Sequence, residues 1–402
     1  MSKNLKYTRN IKRILQRVKP SLKIKRLDLL LYDDIYPHPI SGFRTEEFTS
    51  LLEEFKYSKI ILNPVAYKVL GTPEKEHQGH IKNIINDHKS LIGKLITGSH
   101  QYKHPKLFYC IFLTNITVNL KWLEKQSIPF VFTLYPGGEF KVGDEKTDAK
   151  LRRVFQSPMF RKVIVTQEYT RNYLVENNLC EIGAIKYIFG CVVPQQTIIE
   201  KLDRKFTYQI NKKTFDICFC AAKYSKLGKD KGYDLFIEFA HSILKKYDFV
   251  RFHVIGGFDE SAINVAALGG AVQFYGYQNF DKLKQIYLKM DVIVSPNRPF
   301  VLSEGSFDGF PLGTVVEAVL NGVVAIVTDS LKQNTLFKDK EELLIIEPDS
   351  KSIEQRVIAL IENPSLLNTI SQKGREKFSE VYSNTIQMKP RIQLLKQELS
   401  KT

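Results

Sequence analysis

Residues 307–318, FDGFPLGTVVEA, place two carboxylates, Asp308 and Glu317, on either side of a glycine- and proline-rich turn running into an apolar segment. Gly309 and Gly313 permit tight turns there. Thr314 and Glu317 have the T-x-x-E spacing of a capping box, and Gly322 follows as a stop signal. A helix start preceded by glycines turns free backbone N–H groups and the positive dipole end outward. Gly313, Thr314 and Val315 are therefore candidates to cradle phosphates. Glu317 either closes the capping box or is free to hold a ligand. Asp308, an acid in a loop beside an anion site, is either a chemical group or the side chain of an Asx-turn.

The elements that position these residues read as alternating strands and helices. LDLLLYD (27–33), KIILN (59–63), IPFVFTLY (128–135), KVIVTQ (162–167) and IKYIF (185–189) are strand candidates, and TEEFTSLLEEF (45–55) has a helical apolar stripe at Phe48, Leu51, Leu52 and Phe55. Charge without period over residues 195–213 breaks the rhythm. It restarts with strands at TFDICFCAA (214–222), VRFHVIGG (250–257), VQFYGY (272–277), DVIVSP (291–296) and VAIVTD (324–329), separated by helical segments. Such alternation predicts parallel α/β architecture. A chain of 402 residues exceeds one compact core, so two doubly wound domains facing a cleft are expected. The expected division is a basic arm over 1–26, an N-terminal domain over 27–200, a linker over 201–213, a C-terminal domain over 214–385 and a final helix over 386–402.

Composition narrows the function. A hydrophobic share of 43% and a charged share of 25% are those of a soluble globular protein. No apolar run approaches the ~20 residues that span a bilayer, and residues 1–26 offer no secretory h-region. Five cysteines, Cys110, Cys180, Cys191, Cys218 and Cys220, form no C-x-x-C pair, which predicts a reduced cytoplasmic protein with no zinc site. His77, His80, His88, His100 and His104 show no metal-ligand pattern and read as surface residues. There is no Walker A loop, no D-x-D motif of the metal-dependent kind and no aromatic-basic RNA signature. The formal net charge of +16 attracts phosphates on a nucleotide, a nucleic acid or an anionic membrane. Much of it lies in the arm, where Lys3, Lys6, Arg9, Lys12, Arg13 and Arg17 interleave with Leu5, Ile11, Ile14, Leu15 and Val18.

The stretch DGFPLGTVVEAVLNGVVAIVTDSLKQN resembles the nucleotide-sugar-binding signature of GT-B glycosyltransferases of the family 4 (glycosyl transferases group 1) type. CAAKYSKLGKDKGYDLF is similar to the element that grips the donor diphosphate. HVIGG, FYGYQNFDKLKQIYLKMDVIVSPN and SQKGREKFSEVYS resemble further landmarks in the right order, so the likeness covers about residues 214–385. YPHPISGFRTEEFTSLLEEF, TLYPGGEF and KVIVTQEYTRNYL carry a looser likeness in the N-terminal half, to bacterial surface-polysaccharide transferases.

The resemblance implies a GT-B fold of two Rossmann-like domains and a retaining glycosyltransferase. It would move a sugar from a nucleoside-diphosphate donor, with a UDP-sugar expected, to a lipid-linked or polysaccharide acceptor. It also implies roles: Glu317 on the donor ribose, Asp308 beside the reacting sugar carbon, and Lys223 and Lys231 on the diphosphate. Gly309, Phe310, Gly313, Thr314, Val315, Tyr277 and Gly42 would line the donor, with Gly137 and Gly138 on the acceptor side. No metal or other cofactor is implied. Three departures stand out. Asp308 replaces the commoner Glu and is separated from Glu317 by eight residues, Tyr135 stands where many members carry His, and Lys223 stands where Arg is commoner. His38 becomes an acceptor-side candidate by default, and Glu304 the alternative acid. The rival readings are a catalytically silent GT-B partner subunit and a basic nucleic-acid-binding protein. The site of action is expected at the cytoplasmic membrane face.

The arm generates a first test. Deleting residues 2–20 is expected to lower co-sedimentation with anionic vesicles but not with neutral ones. The loss should shrink at high salt, where screening removes the attraction. Equal sedimentation of full-length and truncated protein would remove the membrane role.

Overall fold

A computed structural model describes residues 27–63, 73–97, 105–199 and 205–402. The basic arm 1–26, residues 201–204 of the expected linker, and His100 and His104 lie outside the described residues. Two parallel sheets carry the fold. The first comprises β1 (Leu29–Tyr32), β2 (Ser58–Leu62), β3 (Leu95–Thr97), β4 (Leu107–Ile111), β5 (Phe130–Leu134), β6 (Phe160–Val165) and β7 (Ile185–Tyr187), ordered 3-2-1-4-5-6-7. The second comprises β8 (Phe215–Ala221), β9 (Val250–Gly256), β10 (Val272–Phe274), β11 (Val292–Ser295), β12 (Val324–Thr328) and β13 (Leu344–Ile346), ordered 10-9-8-11-12-13.

Strand order reverses between β1 and β4 in one sheet and between β8 and β11 in the other. Crevices open at the carboxyl ends of strands at such switch points. Asp33 and Phe112 follow β1 and β4, and Ala222 and Asn297 follow β8 and β11, so these four positions mark where a ligand would lie. β3, β4 and β13 are strands that the sequence pattern does not announce. All five residues of β4 are buried, and its apolar run continues through Phe112 into the helix Leu113–Lys125, so periodicity alone does not separate strand from helix there.

The helix Gly42–Glu54 buries Phe48, Leu51 and Leu52 as its apolar spacing predicts, and Phe55 stops it in extended conformation. At the other end of the chain, Asn363 caps the helix Pro364–Val381 by accepting from the Leu366 N–H. The last helix, Asn384–Leu399, returns to the N-terminal domain, where it packs on Gly42–Glu54 and pairs Lys396 with Glu54. No helix among the described residues is long and apolar enough to cross a membrane.

That returning helix drives a fully buried guanidinium into the first domain. Arg391 donates to the Gln387 carbonyl at 2.7 Å and to the Tyr135 hydroxyl at 3.2 Å, and its Nε lies 3.8 Å from Glu47 Oε1. Glu47 in turn accepts from the hydroxyls of Tyr135, at 2.7 Å, and Tyr109. Breaking a buried pair from one side leaves an uncompensated charge and costs about 3–5 kcal/mol. Arg391→Ala is therefore expected to lower stability by that order in urea unfolding. Arg391→Met with Glu47→Gln should lose less than the single change, because no charge is stranded.

Candidate functional site

Two cavities meet between the domains. The inner one, about 300 Å³, is bounded by His38, Gly42, Tyr277, Thr314 and Glu317. The outer one, about 560 Å³, takes in Asp34, Gly137, Gly138, Gln167 and Asp230. Arg44, Tyr224, Lys231, Asp308, Leu312 and Gly313 line both, so they form the wall through which a group would pass from one to the other.

An ion pair stands in that wall. Lys231 Nζ donates to both carboxylate oxygens of Asp308, at 2.7 and 2.6 Å, and Asn297 Nδ2 donates to the second at 2.9 Å. The Lys231 side chain is only 6% exposed and Asp308 35%. Lys231 occupies a turn between Gly228 and Gly232, both in the left-handed region with φ 62 and 70. A Cβ on Gly232 would sit 2.1 Å from the Pro296 carbonyl oxygen, so only glycine lets this turn pass the end of β11. Lys223 is placed elsewhere. Its ammonium lies 5.9 Å from the centre of the Phe258 ring and does not line either cavity, and Tyr224 takes the position at the wall.

The capping box does not form. The helix spans Gly313–Leu320 with Leu312 as N-cap, so Thr314 is already inside it and its hydroxyl donates to the Cys220 carbonyl at 3.0 Å. The Val315 N–H is taken by the Leu312 carbonyl at 3.0 Å and its side chain is buried, which removes Val315 from the phosphate cradle. Gly313 and Thr314 keep their places at the open helix start. Phe310 is buried in the core behind the loop, and Gly309 lies at the outer cavity.

Freed from capping, Glu317 is 8% exposed and its carboxylate has no hydrogen bond to a described residue. Burial pushes its pKa to about 7. A Cβ on Gly42 would lie 3.1 Å from Glu317 Oε1, so this glycine lets the N-terminal domain close onto the acid. The longer spacing keeps both carboxylates at one cavity, since Asp308 and Glu317 line the inner one together. Glu304 is exposed in the preceding turn and reaches neither cavity.

Of the residues expected on the acceptor side, His38 instead borders the inner cavity, where it is a loop support. Its Nδ1 accepts from the N–H groups of Ser41 at 2.9 Å and Ile40 at 3.2 Å, which leaves Nε2 as the protonated nitrogen. Burial, with Arg44 nearby, pulls its pKa to about 3. Tyr135 shows the cavity its ring, while its hydroxyl points into the Glu47–Arg391 network, and burial raises its pKa well above the usual phenol. It is not an acid/base substitute for His. Gly137 and Gly138 turn at φ 88 and 54, and Gly138 must be glycine because a Cβ would lie 2.5 Å from that of Phe112. Tyr277 borders the inner cavity, its hydroxyl 3.4 Å from the Lys223 amide nitrogen.

Sequence reasoning missed a cluster at the end of β1. Arg44 binds Asp33 and Asp34, and Asn115 Nδ2 donates to them at 3.4 and 3.3 Å. Burial lifts fully buried Asp33 to about 7 against the pull of Arg44, whereas Arg44 overcomes burial and holds Asp34 below the usual range. Two adjacent acids ending a strand at a switch point were the available signal. Of the histidines read as surface residues, His77 is buried, because its helix turns it inward, and burial lowers its pKa to about 4.

Residues 203–377 match the family model described as glycosyl transferases group 1. Sucrose-phosphate synthase from Thermosynechococcus elongatus has a similar structure, with 14% identity and a TM-score of 0.67 over 94% of this chain and 100% of that one. Anabaena HepE in complex with UDP compares at 13% identity and TM-score 0.63, over 91% of this chain and 99% of that one. A glycosyltransferase from Rickettsia africae compares at 15% and 0.62, over 94% and 100%. No curated protein matches the chain. The fold is GT-B, and with its group 1 domain the chain is a glycosyltransferase.

Glu317 supplies the test of this geometry. Its pKa is about 7 when folded against an ordinary 4.5, so the folded chain holds the extra proton in between. Stability from this group therefore falls as pH rises through that window and stays at its lowest above it. Glu317→Gln removes the penalty. The free variant is expected to exceed wild type by on the order of 3 kcal/mol at pH 8 and to match it at pH 4, measured by urea unfolding. Equal stability at both pH values would show that the carboxylate is not desolvated.

Proposed function

We propose that this glycosyltransferase moves a sugar, with retention, from a nucleoside-diphosphate sugar to a lipid-linked or polysaccharide acceptor in cell-surface polysaccharide synthesis. The observation that carries the donor half is the Lys231–Asp308 pair standing between two cavities, with the Glu317 carboxylate, unpartnered among the described residues, in the inner one. HepE structures hold UDP and UDP-glucose, which supports a UDP-sugar as the donor here. Retention and the acceptor class are carried over from the resemblance of residues 214–385 and of the N-terminal motifs. The arm's charge supports action at the cytoplasmic membrane face.

In this reading the nucleoside diphosphate fills the inner cavity and its ribose hydroxyls donate to Glu317. The helix starts at Gly42 and Gly313 both border that cavity, so their free N–H groups and dipoles face the diphosphate from opposite domains. The acceptor hydroxyl, reaching in from the outer cavity, bonds to the anomeric carbon as the bond from that carbon to the diphosphate oxygen breaks, and its proton passes to that departing oxygen. Negative charge then grows on the diphosphate. Lys231 and the two helix starts oppose it without a metal ion, in a wall already organised before the donor arrives. Asp308 stands beside the carbon where positive charge develops.

Two variants separate these roles. Asp308→Asn is expected to bind UDP within a few-fold of wild type but to turn over a UDP-sugar at least ~100-fold more slowly, the pattern of an interaction made in the transition state. Lys231→Ala removes a charge-assisted contact of about 1.5–3 kcal/mol, roughly ten- to hundredfold in UDP affinity. Calorimetry and initial rates with a nucleotide-sugar panel measure both. Full turnover by Asp308→Asn would exclude it from the site, and nucleotide binding without turnover of any sugar in the wild type would favour a silent partner subunit.

A further inference from the structure

The segment 297–310 leaves the C-terminal sheet after β11 and crosses to the other domain. Its base is fixed at home. The Arg298 guanidinium donates to both Asp234 oxygens at 2.6 and 2.7 Å, and its N–H donates to the Asp230 carbonyl at 2.9 Å. Its far end is not. Phe307, 6% exposed, belongs to the apolar core of the N-terminal domain, with ring centres 5.7 Å from Phe140 and 5.3 Å from Tyr169. The Val142 N–H donates to the Gly305 carbonyl at 3.0 Å. Gly305, at φ 72, approaches so closely that a Cβ would lie 2.1 Å from the Val142 carbonyl oxygen. Gln167, at the end of β6, donates to the Phe310 carbonyl at 3.3 Å, and a Cβ on Gly309 would lie 3.0 Å from the same nitrogen.

Asp308 lies inside this bracket, between Phe307 and Gly309. The C-terminal domain holds its side chain through Lys231 and Asn297 and its carbonyl through Gln333 Nε2 at 3.0 Å, while the residues on either side are held by the N-terminal domain. We infer that residues 297–310 are a strap by which the N-terminal domain places Asp308, with Phe307 and Gln167 as positioning residues. The inference rests on the reading of Asp308 as the acid beside the donor sugar. It makes that acid a shared product of both domains, whereas Glu317 sits on a helix of the C-terminal domain alone. Loosening the strap therefore disturbs the sugar end of the donor site and spares the nucleoside end.

The test uses the full chain carrying Phe307→Ala, Phe307→Leu or Gln167→Ala. UDP affinity is measured by calorimetry, steady-state turnover with the UDP-sugar that wild type uses, and hydrogen exchange over 136–142, 299–310 and 313–328. For Phe307→Ala and Gln167→Ala, UDP affinity is expected within threefold of wild type and kcat at least ~30-fold lower, with donor KM little changed. Exchange should rise over 299–310, and for Phe307→Ala also over 136–142, but not over 313–328. Phe307→Leu, which keeps an apolar plug, should recover most of kcat. Wild-type kcat in Phe307→Ala, or a parallel loss of UDP affinity and kcat, overturns the strap. If the wild type neither binds UDP nor turns over, the proposed function fails instead. Exchange alone then decides, and unchanged exchange over 136–142 and 299–310 in Phe307→Ala overturns the strap.

Discussion

Charge held in a partly dry wall is the constraint around which this molecule is arranged. Lys231 is almost wholly removed from water, and an ammonium there needs a carboxylate at contact distance. Asp308 supplies it, Asn297 braces the carboxylate, and the two left-handed glycines at 228 and 232 bring the lysine's turn against the end of β11. None of these elements is explained by packing alone. Together they keep a cation and an anion at fixed positions between two cavities, where low local dielectric strengthens their action on a bound charge.

The carboxylates of the cleft divide by partner. Asp34 is held ionised by Arg44, and Asp308 is paired with Lys231. Glu317 is buried with no counter-charge among the described residues, and its proton affinity rises accordingly. A buried acid without a partner is a standing cost to the free protein, and stored cost of this kind is what a ligand's hydrogen-bond donors can relieve. The same logic explains why His38 and Tyr135, though at the cavity walls, are poor acid/base groups: their polar atoms are already spent on backbone amides or on the Glu47–Arg391 network.

The two domains are bound by more than a linker. The helix Asn384–Leu399 inserts Arg391 beneath the floor of the outer cavity, where its contact with the Tyr135 hydroxyl ties the chain's end to a cleft residue. From the other side, Phe307 enters the N-terminal core. A buried ion network and an aromatic plug thus tie the two domains together at separate places.

Periodicity and turn chemistry were enough to read two α/β halves, the glycine turns and the opening carboxylates, because these are local properties of helix, strand and loop. The order of motifs from Lys231 to Glu317 was legible only through the family resemblance, whereas the glycine stop at Gly322 was legible from turn chemistry. What the sequence could not carry was direction and distance. Thr314 has the spacing of a cap, yet the helix begins at Gly313 because Leu312, not Thr314, has the extended backbone of an N-cap. Lys223 and Tyr224 are neighbours in a loop, and only the fold decides that the tyrosine meets the cavities while the lysine lies over Phe258. Strand β4 was hidden because its apolar run continues without a break into the helix Leu113–Lys125. The Asp33–Arg44 and Glu47–Arg391 pairs join residues far apart in the chain or on different elements, and no local pattern encodes such contacts; they are set when the sheets and helices close on one another.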